Sequence, residues 1–283
     1  MGVKARLKRF VGLWVDLFSK HALLDHASAV AFQVLKSLIP LSLLGLAILG
    51  ATGQEHVWRE TICPAIQPHL QRPTFHAIDY GVEKIFSTET VGLIVFASLL
   101  ALWYISGSVR AFMGGINQIY EVKDERPLQV RYAISFGLAA CIAVGVIGSM
   151  LLTIVASKVG NDALRALAVT GRWLAAVLLL GIVLGMLFRF APAKHRTNRW
   201  ASAGSALVIV AWIVATLIFE LFVVHVANFK TATGELTVFL VLIGYVYTSS
   251  IILLVGVELD ELVREGSTAG QKGVLHVLFG VGK

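Results

Sequence analysis

Residues 29–50 read AVAFQVLKSLIPLSLLGLAILG, and this stretch decides the class of fold. A helix needs about 20 mostly apolar residues to cross the hydrocarbon core of a bilayer, and this run supplies them. Two residues near its middle interrupt it. Pro40 removes a backbone donor and favours a kink, and Lys36 places a charge at a depth where lysine is rare and usually faces a cavity or a partner. The stretch therefore predicts a membrane-spanning helix with a polar feature at its centre.

The composition of the whole chain agrees with this stretch. Of its 283 residues, 57% are hydrophobic and 14% are charged, and the mean hydropathy is +0.79. A soluble domain carries about 25% charged residues. The chain has more apolar side chains than the core of a soluble domain could bury. The sequence therefore predicts a protein that crosses the membrane several times.

Six apolar stretches are long enough to be membrane spans, and all of them are predicted to be helices. They lie at about 27–50, 91–109, 133–157, 173–190, 203–227 and 236–257. The predicted fold class is therefore an all-α, polytopic membrane protein. One domain of six transmembrane helices covers residues 1–262, and a short tail covers residues 263–283.

Amphipathic helices are predicted on both sides of the first span. Before it, apolar side chains recur at helical spacing opposite a basic face, which indicates a helix lying in the membrane interface. Asp16, Lys20 and Asp25 interrupt any long apolar run there, so a cleaved signal peptide is not expected. A second apolar stripe, over residues 75–86, predicts another interfacial helix; simple packing is its favoured role and a lid over a pathway is the alternative.

Lysine and arginine are concentrated on one side of the predicted spans. They are frequent in the N-terminal arm, in the second and fourth connections and in the tail, and scarcer in the other connections. The positive-inside rule then predicts that both termini are cytoplasmic. Because this topology accounts for the net charge of +7, we expect membrane lipids, and no nucleic acid, as partners.

Three residues inside the spans are candidates for a substrate pathway: Lys36, Pro40 and Glu220. Lys36 could line a polar cavity and hold an anionic group, or it could reach an interface or a structural partner. Glu220 could pair with Lys36 across the bundle, which would relieve the cost of burying both charges, or it could carry a proton. Pro40 is the expected kink of the first span.

Signatures of enzymes are missing from the sequence. The histidines form no HxH or HExxH pattern, and no GxSxG, GxxxxGK[ST] or GxGxxG motif occurs. Cys63 and Cys141 predict neither a disulfide framework nor a zinc site. We therefore predict that the protein is not an enzyme and has no catalytic residues, no metal and no cofactor. Arg110, at the end of the second span, is interpreted as an anchor at the membrane boundary.

Four segments resemble the pattern of one family. They read AVAFQVLKSLIPL (29–41), LWYISGSVRAFMGGINQIYEVKDERP (102–127), PAKHRTNRWASAG (192–204) and ILLVGVELDE (252–261). In order and spacing they are similar to the YihY/BrkB family of bacterial inner-membrane proteins, whose members were once described as ribonuclease BN. The positions that match the family pattern are Asp25, Ser37, Pro40, Ser106, Asn117, Tyr120, Arg126, Gly204, Gly256 and Glu258. Lys36 lies where that pattern has an apolar residue, usually leucine.

The resemblance implies an integral protein of the bacterial plasma membrane and favours export of a lipid or another envelope component. The first hypothesis is accordingly a transporter or flippase-like exporter of an amphipathic or anionic substrate. The alternative is a membrane scaffold that binds envelope proteins through the connection 110–132 and the N-terminal arm. Ribonuclease activity is least favoured, because no acid cluster suited to a catalytic metal occurs. A GxxxG pattern at Gly181 and Gly185 leaves a homo-oligomer open.

Overall fold

The computed structural model describes residues 12, 14–67, 70–88, 90–157, 162–193, 203–225 and 232–268. The regular secondary structure in these ranges is helical. The main helices are α1 (Leu23–Ala51), α2 (Arg72–Phe86), α3 (Thr90–Ile119), α4 (Leu128–Ser157), α5 (Asp162–Phe190), α6 (Ala203–His225) and α7 (Ala232–Thr268). Residues 14–20 form a further short helix ahead of α1, and short helical stretches between residues 55 and 66 connect α1 to α2.

Five of the helices contain segments that are long and apolar enough to cross a membrane. Within the described residues these segments are Leu23–Ala51, Val91–Ile119, Leu128–Ser149, Ala203–Val223 and Phe239–Gly266. The sixth helix is α5, which is 29 residues long and has a shorter apolar stretch at Val177–Phe190. The predicted class of fold, an all-α membrane protein built from six long helices, is confirmed.

The helices extend beyond the predicted spans where charged residues begin. The second span is predicted to end at residue 109, but α3 continues to Ile119, because Phe112 and Met113 are buried against other helices. The last span is predicted to end at residue 257, but α7 continues to Thr268. Hydropathy marks the part of a helix that faces lipid, whereas the helix itself continues wherever the chain finds protein to pack against.

The longest packing interface in the bundle is between α1 and α3. In addition, α3 packs against α4 and α7, α1 contacts α7 and α2, α6 packs on α7, and α5 contacts α4 and α6. α1 and α3 run antiparallel, since His26 lies beside Gly115 and Gln33 lies beside Gly107. The two helices therefore bring residues that are far apart in sequence into one long interface.

One end of the bundle gathers the starts of α1, α4 and α6 and the ends of α3, α5 and α7; we call it the α1-start end. His21, just ahead of α1, contacts Glu258 in α7, and Arg126, just ahead of α4, contacts Ala191 just after α5. The larger cluster of buried apolar side chains lies here and includes Leu23, Phe112, Met113, Ile116, Leu187, Leu254 and Val257. A smaller cluster around Leu44 and Ala101 holds the opposite half of the interface.

The helix α1 continues through Pro40. Proline has no backbone N–H, so the carbonyl oxygen of Lys36, four residues earlier, lacks its usual helical donor. Ser37 donates its hydroxyl to the carbonyl oxygen of Val34 at 2.7 Å, and both Ser37 and Pro40 are buried. The middle of α1 thus contains one backbone acceptor without a helical bond, in the same residue that carries the charged side chain.

The apolar stripe predicted over residues 75–86 forms α2. This helix packs on α1 and buries Phe75 and Val82, and the ring of Phe86 lies against Gly50. Trp58 donates its indole N–H to Asp79 at 2.9 Å, which ties the preceding segment to α2. These contacts agree with packing as the role of this helix.

Candidate functional site

Lys36 lies near the middle of α1, and its side chain is exposed rather than enclosed in the bundle. Its Nζ atom is 5.3 Å from the ring centre of Phe32 and 5.2 Å from the ring centre of Tyr104. Both distances are within the range of cation–π attraction. In the part of the chain that the structure describes, no carboxylate forms an ion pair with Lys36. Among the described residues, the Lys36 charge is therefore stabilised by the faces of these two rings.

Arg110 is held inside the bundle by two serines. Its Nη1 atom donates to Ser106 Oγ at 2.9 Å and to Ser135 Oγ at 3.2 Å, and its guanidinium lies 4.4 Å from the ring centre of Tyr132. Both serines are fully buried. α3 continues for nine residues beyond Arg110, and the side chain turns back along the helix to Ser106; the interpretation of Arg110 as an anchor at the membrane boundary stays a prediction.

Lys36 and Arg110 each direct the side chain back along their own helix, Lys36 over Tyr104 of α3 and Arg110 against Ser135 and Tyr132 of α4. Each side chain contacts a residue one turn earlier in its own helix, Phe32 for Lys36 and Ser106 for Arg110. Because the two helices are antiparallel, these directions converge.

Gln33 and Gly107 lie beside Arg110 where α1 packs on α3. A Cβ atom added at Gly107 would lie 3.2 Å from Gln33 Oε1 and 3.8 Å from Arg110 Nη2, so the glycine leaves the space that both polar groups use. We call Gln33, Lys36, Tyr104 and Arg110 the α1–α3 cation cluster.

The structure brings together only part of the predicted substrate pathway. Pro40 lies one turn beyond Lys36 in α1, and it is buried while Lys36 is exposed. Glu220 is exposed on α6, a helix that packs on α7 and α5. Among the described residues, no ion pair joins Lys36 to Glu220. The roles of Lys36, Pro40 and Glu220 in a pathway stay predictions.

Arg126 connects the α3–α4 connection to the end of α5. Its guanidinium forms two hydrogen bonds with Asp124, at 2.9 and 3.0 Å. It also donates to the carbonyl oxygens of Ala191 at 3.0 Å and Pro192 at 3.2 Å. These bonds satisfy backbone acceptors that the end of a helix leaves without partners. The pKa of Asp124 is lowered, chiefly by the hydrogen bond from Arg126, while partial burial opposes the shift.

Asn117 adds a second link between the same segments. Its Oδ1 atom accepts a hydrogen bond from the backbone N–H of Ala193 at 2.8 Å, and its Nδ2 atom lies 3.4 Å from Asp124 Oδ2. Asn117 is itself buried at the end of α3. The two family-pattern residues Asn117 and Arg126 therefore fix where α5 ends relative to α3.

His21 and Glu258 form a buried polar pair at the α1-start end. His21 Nδ1 lies 2.8 Å from Glu258 Oε2, and the two side chains are 6% and 1% exposed. The other ring nitrogen of His21 faces Glu121 at 3.7 Å, and Glu121 is exposed and paired with Lys20. Lys20 lowers the pKa of Glu121 through its hydrogen bond and its charge. A single histidine thus joins the N-terminal segment to the ends of α3 and α7.

Gly204 and Gly256 lie where α6 crosses α7 at very short distance. A Cβ atom at Gly204 would overlap the carbonyl oxygen of Gly256, and one at Gly256 would overlap the side chain of Val208. The backbone N–H of Gly204 donates to Asp260 Oδ1 at 2.7 Å, which caps the start of α6. Only glycine, which has no Cβ, permits this approach of two backbones.

The remaining matched positions lie in the same region or along α1. Tyr120 is buried at the end of α3, and Asp25 is exposed in the first turn of α1. Sequence reasoning missed the parts played by Asp124 and His21. Asp124 could have been found, because it lies two residues before Arg126 in a short charged connection. The contact of His21 with Glu258 gives no local signal, since 237 positions separate the two residues.

Long apolar helices joined by buried polar contacts define this chain as an integral, multi-spanning α-helical membrane protein. The sequence profile of the virulence factor BrkB family matches residues 15–275, and the chain belongs to this family. It is 22% identical to the ribonuclease-like protein YfkH of Bacillus subtilis (strain 168) over 92% of this chain and 98% of that protein. It is 24% identical to a UPF0761 membrane protein of Pseudoalteromonas atlantica (strain T6c / ATCC BAA-1087), over 90% of this chain and 86% of that protein. No solved structure matches the chain significantly.

Proposed function

We propose that this protein is a flippase-like transporter, which moves a lipid or another amphipathic, anionic envelope component across the bacterial plasma membrane. The observation that carries the proposal is the position of Lys36, exposed at the middle of a spanning helix and without a carboxylate partner in the described part of the chain. A charge at such a depth costs about 2.5–3.5 kcal/mol on insertion. A passing anionic group would offset that cost.

The surroundings of Lys36 fit an amphipathic substrate. Phe32 and Tyr104 flank its ammonium group, so apolar surface adjoins the charge. Pro40 lies one turn away and removes a backbone hydrogen bond from α1 at this level. A helix that lacks this hydrogen bond bends more easily than a regular one. This supports the proposal that α1 bends during transport.

We further propose that the α1-start end faces the cytoplasm, with both termini on that side. The proposal rests on the concentration of lysine and arginine in the segments at this end, as the positive-inside rule requires. Arg110 then lies in the half of the bilayer that faces the cytoplasm, and Lys36 lies deeper. An exported substrate would meet Arg110 before Lys36.

The alternative, a scaffold for envelope proteins, has less support. It is predicted to use residues 110–132, but residues 110–119 belong to α3, and Phe112 and Met113 are buried there. Arg126 is committed to Asp124 and to the end of α5. Part of this segment is therefore committed to the fold, while Leu128, Val130 and Tyr132 remain exposed.

We do not extend the ribonuclease-like name of one relative to this chain. The acids of the α3–α4 connection would be the candidates to hold a catalytic metal. Glu121 is paired with Lys20, and Asp124 is paired with Arg126. Among the described residues, no three His, Cys, Asp or Glu side chains converge as a metal site needs.

A lipid-scrambling assay tests the proposal. Purified protein is reconstituted into liposomes that carry fluorescent phosphatidylglycerol in both leaflets, and dithionite is added outside to bleach accessible label. The wild type should make the inner label accessible, Lys36→Leu should slow this, and Lys36→Arg should retain most of it. Lys84→Leu, at an exposed lysine of α2, is the control. A wild-type rate equal to that of protein-free liposomes would overturn the function, and full activity in Lys36→Leu would remove Lys36 from the pathway.

A further inference from the structure

In the described part of the chain, the guanidinium of Arg110 donates hydrogen bonds through its Nη1 atom and through neither of its other two nitrogen atoms. Arginine has five N–H donors in a rigid fork. The serines Ser106 and Ser135 take Nη1, which leaves Nε and Nη2 on the opposite edge. Among the described residues, these two atoms form no hydrogen bond. Two parallel donors on one edge are the arrangement that binds a phosphate or carboxylate in bidentate fashion.

Ser106 and Ser135 hold the guanidinium of Arg110 in one orientation without a ligand. Ser106 donates its own hydroxyl to the carbonyl oxygen of Trp103 at 2.8 Å, and Ser135 donates to that of Tyr132 at 2.9 Å. Each serine oxygen can therefore only accept from Arg110. An arginine that merely anchored a helix would reach toward water, whereas Arg110 bonds to a residue one turn deeper in α3.

The α1 side of the interface supplies further groups that suit an anion. Gln33 Oε1 and Arg110 Nη2 both lie within 4 Å of the position that a Cβ atom at Gly107 would take, and Lys36 follows Gln33 by one turn. Neither Lys36 nor Arg110 forms an ion pair with a carboxylate in the described residues. The cluster thus carries two positive charges that no described acid neutralises, in surroundings of low dielectric constant where a counter-charge is strongly attracted.

The surroundings of Arg110 favour a lipid over a solute. Arg110 directly follows the apolar stretch of α3. A lipid can bring its phosphate to the end of such a stretch because its acyl chains remain in the bilayer. Tyr132 stacks on the guanidinium of Arg110, and Tyr104 lies beside the ammonium group of Lys36, so aromatic surface adjoins both charges.

We propose that the α1–α3 cation cluster binds the phosphate group of an anionic phospholipid, with the Nε–Nη2 edge of Arg110 as the principal contact and Gln33 and Lys36 as secondary ones. Ser106 and Ser135 are positioning residues for Arg110. This inference deepens the proposed transport function by naming the chemical group that is recognised. It concerns equilibrium binding, and it can therefore fail or succeed independently of transport.

Native mass spectrometry of the purified full chain tests the site. The detergent-solubilised protein is titrated with phosphatidylglycerol and, separately, with phosphatidylcholine, whose headgroup carries no net charge. We expect preferential binding of phosphatidylglycerol, and a loss of roughly ten- to a hundredfold in its affinity in Arg110→Gln, because hydrogen bonds to charged groups contribute about 1.5–3 kcal/mol. Arg110→Lys should restore part of the affinity, since it keeps the charge but loses the fork.

Matched variants separate the site from general effects on the fold. Lys123→Gln removes an exposed cation outside the cluster and should leave binding unchanged. Ser135→Ala keeps Arg110 but removes one of its two anchors, and it should weaken binding less than Arg110→Gln; it also serves if Arg110→Gln does not fold. Equal affinity of the wild type for both lipids, or unchanged binding in both Arg110→Gln and Ser135→Ala, would overturn the proposal.

Two further outcomes are decisive. If inorganic phosphate displaces the lipid at equal concentration, the ligand is the free anion and the assignment to a lipid is wrong. If the wild type binds phosphatidylglycerol through Arg110 but moves no lipid in liposomes, the binding site stands and the transport function fails.

Discussion

The Nδ1 atom of His21 lies 2.8 Å from the Oε2 atom of Glu258, and both side chains are buried although 237 positions separate them in the sequence. This contact attaches the segment ahead of α1 to the last long helix. Glu258 belongs to the family pattern, and its partner gives that position a structural role at the α1-start end.

Removing Glu258 should destabilise the protein. Glu258→Leu leaves His21 Nδ1 buried without its partner, and an unsatisfied buried polar group costs about 1–3 kcal/mol. The measurement is the midpoint of thermal unfolding in detergent. Glu258→Gln should lose less, because its amide oxygen can still accept, and Glu265→Gln, at an exposed position of the same helix, should match the wild type. An unchanged midpoint in Glu258→Leu would show that the contact does not stabilise the fold.

The close crossing of α6 and α7 should tolerate no side chain. Gly256→Ala would place a methyl group onto Val208, so we expect a marked loss of folded protein and a lower unfolding midpoint. Gly181→Ala is the matched control, because a Cβ atom there meets nothing within 4 Å and alanine favours a helix by roughly 0.5–1 kcal/mol over glycine. A Gly256→Ala variant as stable as Gly181→Ala would contradict the crossing.

The pairing of Asp124 with Arg126 should make stability depend on pH. Because the hydrogen bond from Arg126 lowers the pKa of Asp124 in the folded protein, its contribution is present above the pKa of the unfolded chain and is lost as the pH falls through the lowered value. We therefore expect Asp124→Asn to lower the unfolding midpoint at neutral pH, and the difference from the wild type to shrink below about pH 4, where aspartate ordinarily titrates.

The control for this pH series is Glu125→Gln, at an exposed acid next to Asp124. It should follow the wild type at every pH. A difference between the wild type and Asp124→Asn that does not change with pH would mean that the lowered pKa does not stabilise the fold.

Replacing Pro40 should stabilise α1 and impair transport. Pro40→Ala supplies the N–H that the carbonyl oxygen of Lys36 lacks, and a proline inside a helix costs about 3 kcal/mol. We expect a higher unfolding midpoint together with slower lipid movement, measured on the same preparation. Ser42→Ala, at an exposed position in the same helix, should change neither. Faster lipid movement in Pro40→Ala would argue against a bending helix.

The sequence predicted the class of fold because membrane insertion depends on length and hydropathy, both of which are local properties. The stretch around Lys36 and Pro40 was enough to indicate a spanning helix. The ends of α3 and α7 were not predicted, because buried residues such as Phe112 continue a helix for reasons of packing that hydropathy does not contain.

The candidate site was predicted only in part for the same reason. Lys36 is conspicuous in an apolar run, whereas Arg110 lies at the edge of one and was interpreted as an anchor. Its actual partner Ser135 belongs to the next helix, and the convergence with Lys36 depends on the antiparallel packing of α1 on α3. Such relationships become visible only when the helices are placed in space.

Transport of an anionic lipid is tested by the initial rate of lipid movement. Fluorescent phosphatidylglycerol and phosphatidylcholine are followed in parallel in liposomes with and without the wild-type protein. We expect the protein to move phosphatidylglycerol well above the protein-free rate and faster than phosphatidylcholine. Rates for both lipids that equal those of protein-free liposomes would contradict it.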